Sequence, residues 1–211
     1  MTPDPHGASG IVSRGAELGK AQWAMVLLHG RGGSAEDILG LGAAIASEDW
    51  ALLAPQAAGH TWYPNSFLAQ RGQNEPYLSS ALHAVSRSIA KARAAGIPDE
   101  RIVVAGFSQG ACLATEYVGR NPARYGGLLA FTGGLIGPPG EPITLAGDLA
   151  GTPVLLSAGD PDPHVPWARV EQSAELLKGI GGVVTLRRFP GKAHSIVSEE
   201  VESARQLLQS V

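Results

Sequence analysis

The chain has 211 residues, of which 44% are hydrophobic, and its 16 basic and 19 acidic residues leave a formal net charge of −3. This length and composition predict a single α/β domain over residues 1–211 with one substantial core. The absence of a basic run argues against nucleic-acid binding, and no apolar stretch approaches the length of a membrane span.

Residues 1–10 predict a flexible N-terminus without a signal peptide, because they include Pro3, Asp4 and Pro5 and lack an apolar core. The single cysteine, Cys112, excludes an internal disulfide framework. Together these features predict a cytoplasmic protein.

Short apolar runs alternate with longer amphipathic segments from residue 23 onward. Strands are predicted over residues 23–28, 50–54, 101–105, 127–131, 154–157 and 183–189. Helices are predicted over residues 35–46, 75–95, 108–119, 167–178 and 196–208. Because apolar strands alternate with helices, the chain predicts a mostly parallel central sheet with helices on both faces. Residues 60–74 and 133–151 are predicted to be loops.

The pentapeptide Gly106-Phe107-Ser108-Gln109-Gly110 lies between a predicted strand and a predicted helix. Glycines two positions on either side of a serine let the strand and helix pass closely at a sharp turn, which projects the hydroxyl above the sheet edge. Ser108 is therefore the predicted nucleophile. Because a serine hydroxyl alone is a weak nucleophile, this prediction also requires a base and an orienting acid.

Functional groups collect beyond the carboxyl ends of parallel strands, and three of the six histidines follow predicted strands there: His29, His164 and His194. Hydrolases built on such sheets carry nucleophile, acid and histidine in that chain order, which selects His194 as the base. Asp162 is the preferred acid, because a loop reaching from the strand needs that distance, and Asp160 is the alternative. His29 is interpreted as a brace for the neighbouring glycine-rich loop.

A tetrahedral intermediate needs backbone donors for its oxyanion. The predicted donors are the amides of Gln109, at a helix N-terminus, and Arg31, in the loop after the first strand. The candidate substrate-binding residues are Trp62, Tyr63, Phe67, Glu75 and Trp167. The aromatic ones would line a pocket or cap the core, and Glu75 would also be explained as a helix start. No cluster has metal-ligand spacing, so no metal and no cofactor are predicted.

Four motifs resemble the phospholipase/carboxylesterase family of α/β-hydrolases, which includes bacterial carboxylesterases and acyl-protein thioesterases. They are residues 27–33, residues 106–110, residues 159–162 with Val165-Pro166, and His194. The resemblance implies a compact α/β-hydrolase fold without a large cap domain and a triad of Ser108, Asp162 and His194. It also implies that the amides of Arg31 and Gln109 bind the oxyanion. Small hydrolases of this type often pair, so a homodimer is considered.

The sequence therefore predicts a serine carboxylesterase that cleaves small to medium esters through an acyl-enzyme. An acyl thioesterase or lysophospholipase with the same triad and a longer apolar groove is the first alternative. A non-catalytic ligand-binding homologue is the second, and the complete triad argues against it. Arg31 stands where the thioesterases usually have an apolar residue, which predicts a cationic wall favouring acidic or polar acyl groups.

Overall fold

A seven-stranded sheet forms the centre of the computed structural model, which describes residues 3–209. Its strands are β1 (Ile11–Gly15), β2 (Trp23–Leu28), β3 (Trp50–Pro55), β4 (Ile102–Phe107), β5 (Gly127–Phe131), β6 (Pro153–Asp160) and β7 (Val183–Pro190). They lie in the order β1-β3-β2-β4-β5-β6-β7. β1 runs antiparallel to β3, and every other neighbouring pair is parallel. The mostly parallel sheet predicted from the sequence is confirmed.

Five α-helices within the described residues cover both faces of the sheet: α1 (Ala35–Ile45), α2 (Tyr77–Ala94), α3 (Gln109–Arg120), α4 (Trp167–Gly179) and α5 (Ser198–Gln209). Successive side chains of a strand point to opposite faces. In β2, Val26 belongs to the buried cluster formed with α2, α3 and α4, whereas Leu27 belongs to the cluster formed with α1 and α5. Because both faces are covered, the central strands appear in the sequence as continuous apolar runs.

β1 is the strand that the sequence analysis missed. It has five residues, of which only Ile11 and Val12 are partly buried and the last three are exposed. Such a short segment carries no clear apolar alternation. Its strand conformation comes from antiparallel pairing with β3 at the edge of the sheet, which is a tertiary contact rather than a local preference.

The N-terminal segment differs from the flexible start that was predicted for residues 1–10; residues 1 and 2 lie outside the described part. His6 is fully buried. Its backbone amide donates to Ser80 Oγ at 2.8 Å, and its carbonyl accepts from Arg87 at 2.8 Å, so the segment is fixed to α2. The imidazole binds the backbone on both sides, at Ala58 N (3.0 Å) and Trp62 O (2.9 Å). His6 therefore serves as a hydrogen-bonding group in the core. The sequence analysis missed this role because the proline-rich composition of the segment indicated flexibility.

None of the helices within residues 3–209 combines the length and the apolar character needed to cross a membrane. No large cap domain is formed by these residues either, since the segments between strands and helices are loops and short 3₁₀ turns. The carboxyl ends of the parallel strands therefore stay accessible on one edge of the sheet.

Candidate active site

Ser108 lies at the sharp turn between β4 and α3, with φ +54° and ψ −117°. This region is sparsely populated by residues with a side chain, and such strain is typical of functional positions. Glycine is required on both sides of the turn. A Cβ added to Gly106 would collide with the Gly110 carbonyl, and one added to Gly110 would collide with the Leu28 carbonyl. The turn therefore brings β4, α3 and the end of β2 together around one serine.

An uninterrupted hydrogen-bonded chain joins Ser108, His194 and Asp162. Ser108 Oγ lies 2.8 Å from His194 Nε2, and His194 Nδ1 lies 2.8 Å from Asp162 Oδ2. These residues follow β4, β7 and β6 respectively, so the parallel topology brings to one edge three groups that are distant in the chain. Because a carboxylate only accepts, Nδ1 carries the proton, which leaves Nε2 free to accept from the serine hydroxyl.

The carboxylate of Asp162 is buried and held in one orientation. Its Oδ1 accepts the backbone amides of His164 and Val165, both at 2.9 Å. Burial alone would raise the pKa of Asp162, but the hydrogen bonds from His194 and from these two amides outweigh it and hold the pKa below its usual value. Asp160, the alternative acid, instead forms an ion pair with Arg188. The structure thus places Asp162 and not Asp160 against the histidine.

The loop after β2 is braced by His29, as the sequence analysis expected. His29 Nδ1 donates to the carbonyl of Gly30 at 2.8 Å, and Nε2 accepts the amide of Ala57 at 3.2 Å. Gly30 lies directly against the turn at Ser108, because a Cβ added there would be 3.5 Å from the Cβ of Ser108. The backbone that carries Arg31 is therefore fixed beside Ser108.

The segment 62–65 is held by the side chains of Arg31 and Gln109, the two predicted oxyanion residues. The Arg31 guanidinium donates to three successive carbonyls, of Tyr63 (2.9 Å), Pro64 (3.1 Å) and Asn65 (2.8 Å). The Gln109 side chain accepts from Trp62 N at 2.9 Å and donates to Tyr63 O at 2.8 Å. We call residues 62–65 the clamped segment. The Arg31 side chain is thus chiefly a clamp, a role that its position in the sequence does not suggest.

A cavity of about 450 Å³ opens above Ser108 and His194. Of the predicted substrate-binding residues, Tyr63 and Phe67 line it. Trp62 does not: its ring is fully buried, and Nε1 donates to the His29 carbonyl at 2.8 Å.

Glu75 and Trp167 are also absent from the cavity wall. The Glu75 carboxylate accepts from the Ser79 amide at 3.1 Å and from its hydroxyl at 2.9 Å, so it stabilises the start of α2. Trp167 is 9% exposed at the start of α4, and the Arg188 guanidinium carbon lies 5.4 Å from the centroid of its ring. Both side chains therefore have structural roles. The sequence could not separate these roles from ligand binding, because an aromatic ring or a carboxylate at a helix start suits either.

Several wall residues were not predicted. Asn65 and Ser66 supply polar atoms, and the His164 ring meets the His194 ring edge-on, with centroids 4.9 Å apart. Cys112 also borders the cavity. Burial raises the pKa of its thiol to about 12, so it is a neutral and unreactive group near neutral pH. The predicted loop over residues 60–74 was the available signal for Asn65 and Ser66, but it could not select these two positions.

Residues 3–209 contain no group of three or more His, Cys, Asp or Glu side chains arranged to hold a metal ion.

The two buried histidines predict how stability depends on pH. Burial lowers the pKa of both His6 and His29. Each ring also accepts a backbone N–H on one nitrogen, and protonation of that nitrogen would break the hydrogen bond. The unfolded chain then binds protons that the folded chain does not, so the free energy of unfolding falls as the pH drops below the unfolded value of 6.5. We expect a slope of up to about 1.4 kcal/mol per pH unit for each ring.

Urea unfolding between pH 7.5 and 5.5 measures this slope. His6→Gln should reduce it, whereas the same change at exposed His83 on α2 is the matched control and should leave it unchanged. Equal slopes for wild type and both variants would contradict the prediction.

Comparison with known proteins places this geometry in a family. A family model described as phospholipase/carboxylesterase matches residues 12–211. The crystal structure of a phospholipase/carboxylesterase from Dyadobacter fermentans is 43% identical and superimposes with a TM-score of 0.91, covering 96% of this chain and 97% of that one. The resemblance seen in the motifs is thereby confirmed.

Curated relatives match over shorter stretches. Acyl-protein thioesterase 1 of Gibberella zeae is 35% identical over 116 residues, which are 54% of this chain and 49% of that protein. A probable carboxylesterase, SOBER1-like, of Arabidopsis thaliana is 32% identical over 132 residues, 62% and 50% respectively. The chain thus spans about half the length of these two relatives. From the family match, the chain belongs to the phospholipase/carboxylesterase family of α/β-hydrolases.

Proposed function

We propose that the chain is a serine carboxylesterase that cleaves small to medium carboxylic esters through an acyl-enzyme. The observation that carries the proposal is the hydrogen-bonded chain from Ser108 through His194 to Asp162, with 2.8 Å at each link, at the floor of an open cavity. A serine in hydrogen-bond reach of a base that is itself oriented by an acid is the signature of nucleophilic catalysis.

The proposed reaction proceeds in two halves. Ser108 Oγ attacks the ester carbonyl while His194 Nε2 takes its proton, and the same proton then passes to the departing alkoxide. Water next attacks the acyl-enzyme and gives a proton to His194 Nε2. His194 returns this proton to Ser108 Oγ as the carboxylic acid leaves. Asp162 stays ionised throughout, because its hydrogen bonds hold its pKa low, and it stabilises the imidazolium.

The amides of Gln109 and Arg31 are the proposed oxyanion donors. Gln109 is the first residue of α3, where the backbone N–H groups of a helix are unpaired. Arg31 follows Gly30, whose backbone lies against Ser108. Loss of one such donor typically costs about 3 kcal/mol of barrier. The side chains of both residues hold the clamped segment, which supports a preorganised arrangement of the loop and the turn.

The size of the cavity favours small and medium esters. Its volume of about 450 Å³ lies toward the lower end of ligand pockets, and polar residues Asn65 and Ser66 form part of its wall. An acyl thioesterase is the second candidate, because relatives named acyl-protein thioesterase match the chain. A long apolar groove would favour that second candidate, whereas this cavity is limited in volume and is bordered in part by Asn65 and Ser66.

A panel of p-nitrophenyl esters and acyl-CoA thioesters of increasing chain length tests the proposal, with Ser108→Ala as the blank. Highest kcat/KM on short and medium esters supports it, and highest kcat/KM on long thioesters supports the second candidate. A fluorophosphonate probe separates both from a ligand-binding homologue, since folded protein without an adduct at Ser108 would contradict any hydrolase reading.

Arg31→Leu is expected to lower kcat/KM for neutral esters by about tenfold, because the clamped segment loses three hydrogen bonds. For esters with an acidic acyl group the loss should be larger, because the cavity wall also loses its positive charge. Paired assays of esters that share one alcohol and carry either a neutral acyl group or an acidic, hemisuccinate-type acyl group measure the difference. Arg31→Lys is the charge-retaining control. Equal losses on both substrates would remove the charge role and leave the clamp.

The proposed substrate partner is a small ester, and the chemistry described needs no cofactor. Cytoplasmic location and a homodimer stay predictions, which fractionation of the native host and light scattering of the purified protein would measure.

A further inference from the structure

A buried ion pair lies beneath the loop that carries His194, outside the cavity described above. Lys192 Nζ is 3.0 Å from Glu200 Oε2, and the two side chains are 5% and 0% exposed. Taking two charges out of water is costly unless every donor and acceptor is satisfied. Such a pair is therefore informative about the loop that it supports.

The ammonium group of Lys192 closes the turn around His194. Besides Glu200, it donates to the carbonyl of Ser195 at 2.5 Å and to Thr132 Oγ1, just beyond β5, at 3.4 Å. Its three N–H groups thus have three acceptors. Because Lys192 and Ser195 stand on either side of His194, this single side chain spans the backbone that holds the imidazole.

The carboxylate of Glu200 fixes the other end of the same loop. Oε2 accepts the amide of Val197 at 2.9 Å, and Oε1 accepts the hydroxyl of Ser157, in β6, at 2.7 Å. The loop lies directly on β6, since a Cβ added to Gly159 would meet the carbonyl of Lys192 at 2.5 Å. β6 is also the strand that leads to Asp162.

We propose that Lys192 and Glu200 are positioning residues that fix the His194 loop to β5 and β6, so that the imidazole stays in register with Ser108 and Asp162. This inference rests on the proposed serine hydrolase function. Both hydrogen bonds of the imidazole are 2.8 Å long, and a displacement of about 1 Å in a catalytic group costs on the order of 100-fold in rate. Neither residue lines the cavity, so the effect is expected on turnover rather than on binding.

Lys192→Met tests the inference, because methionine fills similar space without the ammonium group. Per folded enzyme, we expect kcat and the rate of fluorophosphonate acylation to fall by about 10- to 100-fold, with KM changed less than about threefold. Lys178→Met is the matched control: it breaks the exposed Lys178–Glu175 pair on α4, whose side chains are 46% and 72% exposed, and should leave both rates unchanged.

A second variant separates positioning from stability. Lys192→Met leaves the Glu200 carboxylate buried and unpaired, which can unfold the protein. Lys192→Met combined with Glu200→Gln removes that charge; the glutamine oxygen can accept the Val197 amide while its NH₂ group donates to Ser157 Oγ. A melting temperature near wild type together with reduced kcat supports positioning. Wild-type kcat in either folded variant would overturn the inference.

An NMR measurement keeps the inference testable if the wild type hydrolyses no ester, which would defeat the proposed function alone. Long-range ¹H–¹⁵N spectra of the His194 ring report its tautomer and its hydrogen bond to Asp162 without turnover. The inference is supported if wild type shows one tautomer of the His194 ring, with the proton on Nδ1, and the lysine variants show an average of the two tautomers. Identical spectra would overturn it.

Discussion

Ser108→Ala is expected to lower kcat for ester hydrolysis by about 10⁶-fold while the fold is retained. The reason is that the proposed mechanism has one nucleophilic oxygen, and the neighbouring thiol of Cys112 is held neutral by burial. Active-site titration with a fluorophosphonate should likewise give no adduct. Residual activity above about 1% of wild type in purified Ser108→Ala would contradict Ser108 as the nucleophile.

Ser108→Gly is the informative companion to this variant. The serine has φ +54°, a conformation that costs a residue with a side chain about 1–3 kcal/mol. Glycine adopts it freely but adds entropy to the unfolded chain, roughly 0.5–1 kcal/mol. We therefore expect Ser108→Gly to be as inactive as Ser108→Ala and more stable than it by about 1 kcal/mol. Urea unfolding of the two variants measures this difference, and a Ser108→Gly variant less stable than Ser108→Ala by roughly 0.5–1 kcal/mol, the entropy cost alone, would show that the turn carries no strain.

Asp162→Asn is expected to lower kcat by about 10⁴-fold at neutral pH with little change in KM. Its hydrogen bonds hold the pKa of Asp162 low, so wild type carries the negative charge across the whole neutral range and the variant lacks it throughout. An asparagine amide would also favour the wrong tautomer of His194, because its NH₂ group donates where the carboxylate accepts.

Asp160→Asn is the matched control for this substitution. Asp160 is the last residue of β6, two positions before Asp162, and it forms a partly exposed ion pair with Arg188. Its replacement should change kcat less than about threefold, as expected for a partly exposed ion pair. Steady-state kinetics of both variants decide between the two aspartates, and a larger loss in Asp160→Asn would reverse the assignment.

The sequence indicated the strands and the turn that position the site, because these elements depend on local signals. Glycines at positions 106 and 110 are needed for a close backbone approach, and the apolar runs of β2, β4 and β6 report strands covered on both faces. Once those strands are parallel, the residues that follow them meet at one edge. Ser108 and His194 could therefore be selected by chain order and position, whereas Asp162 was preferred with Asp160 as the alternative.

Side-chain direction could not be predicted in the same way. Trp62 and Phe67 are both aromatic residues in one predicted loop, yet one ring is buried in the core and the other borders the cavity. The choice depends on contacts between segments far apart in the chain, such as the bond from Trp62 Nε1 to the His29 carbonyl. His6 and Lys192 were missed for the same reason, because their partners are supplied by other segments of the fold.

The clamped segment is held through its main chain: Arg31 donates to carbonyls, and Gln109 bonds one amide and one carbonyl. Hydrogen bonds to backbone carbonyls do not depend on which side chains the residues of the segment carry. The side chains that the clamped segment presents to the cavity can consequently change during evolution while the hydrogen bonds that hold the segment stay in place. One scaffold of this type is thereby suited to acquiring new substrate preferences by few substitutions.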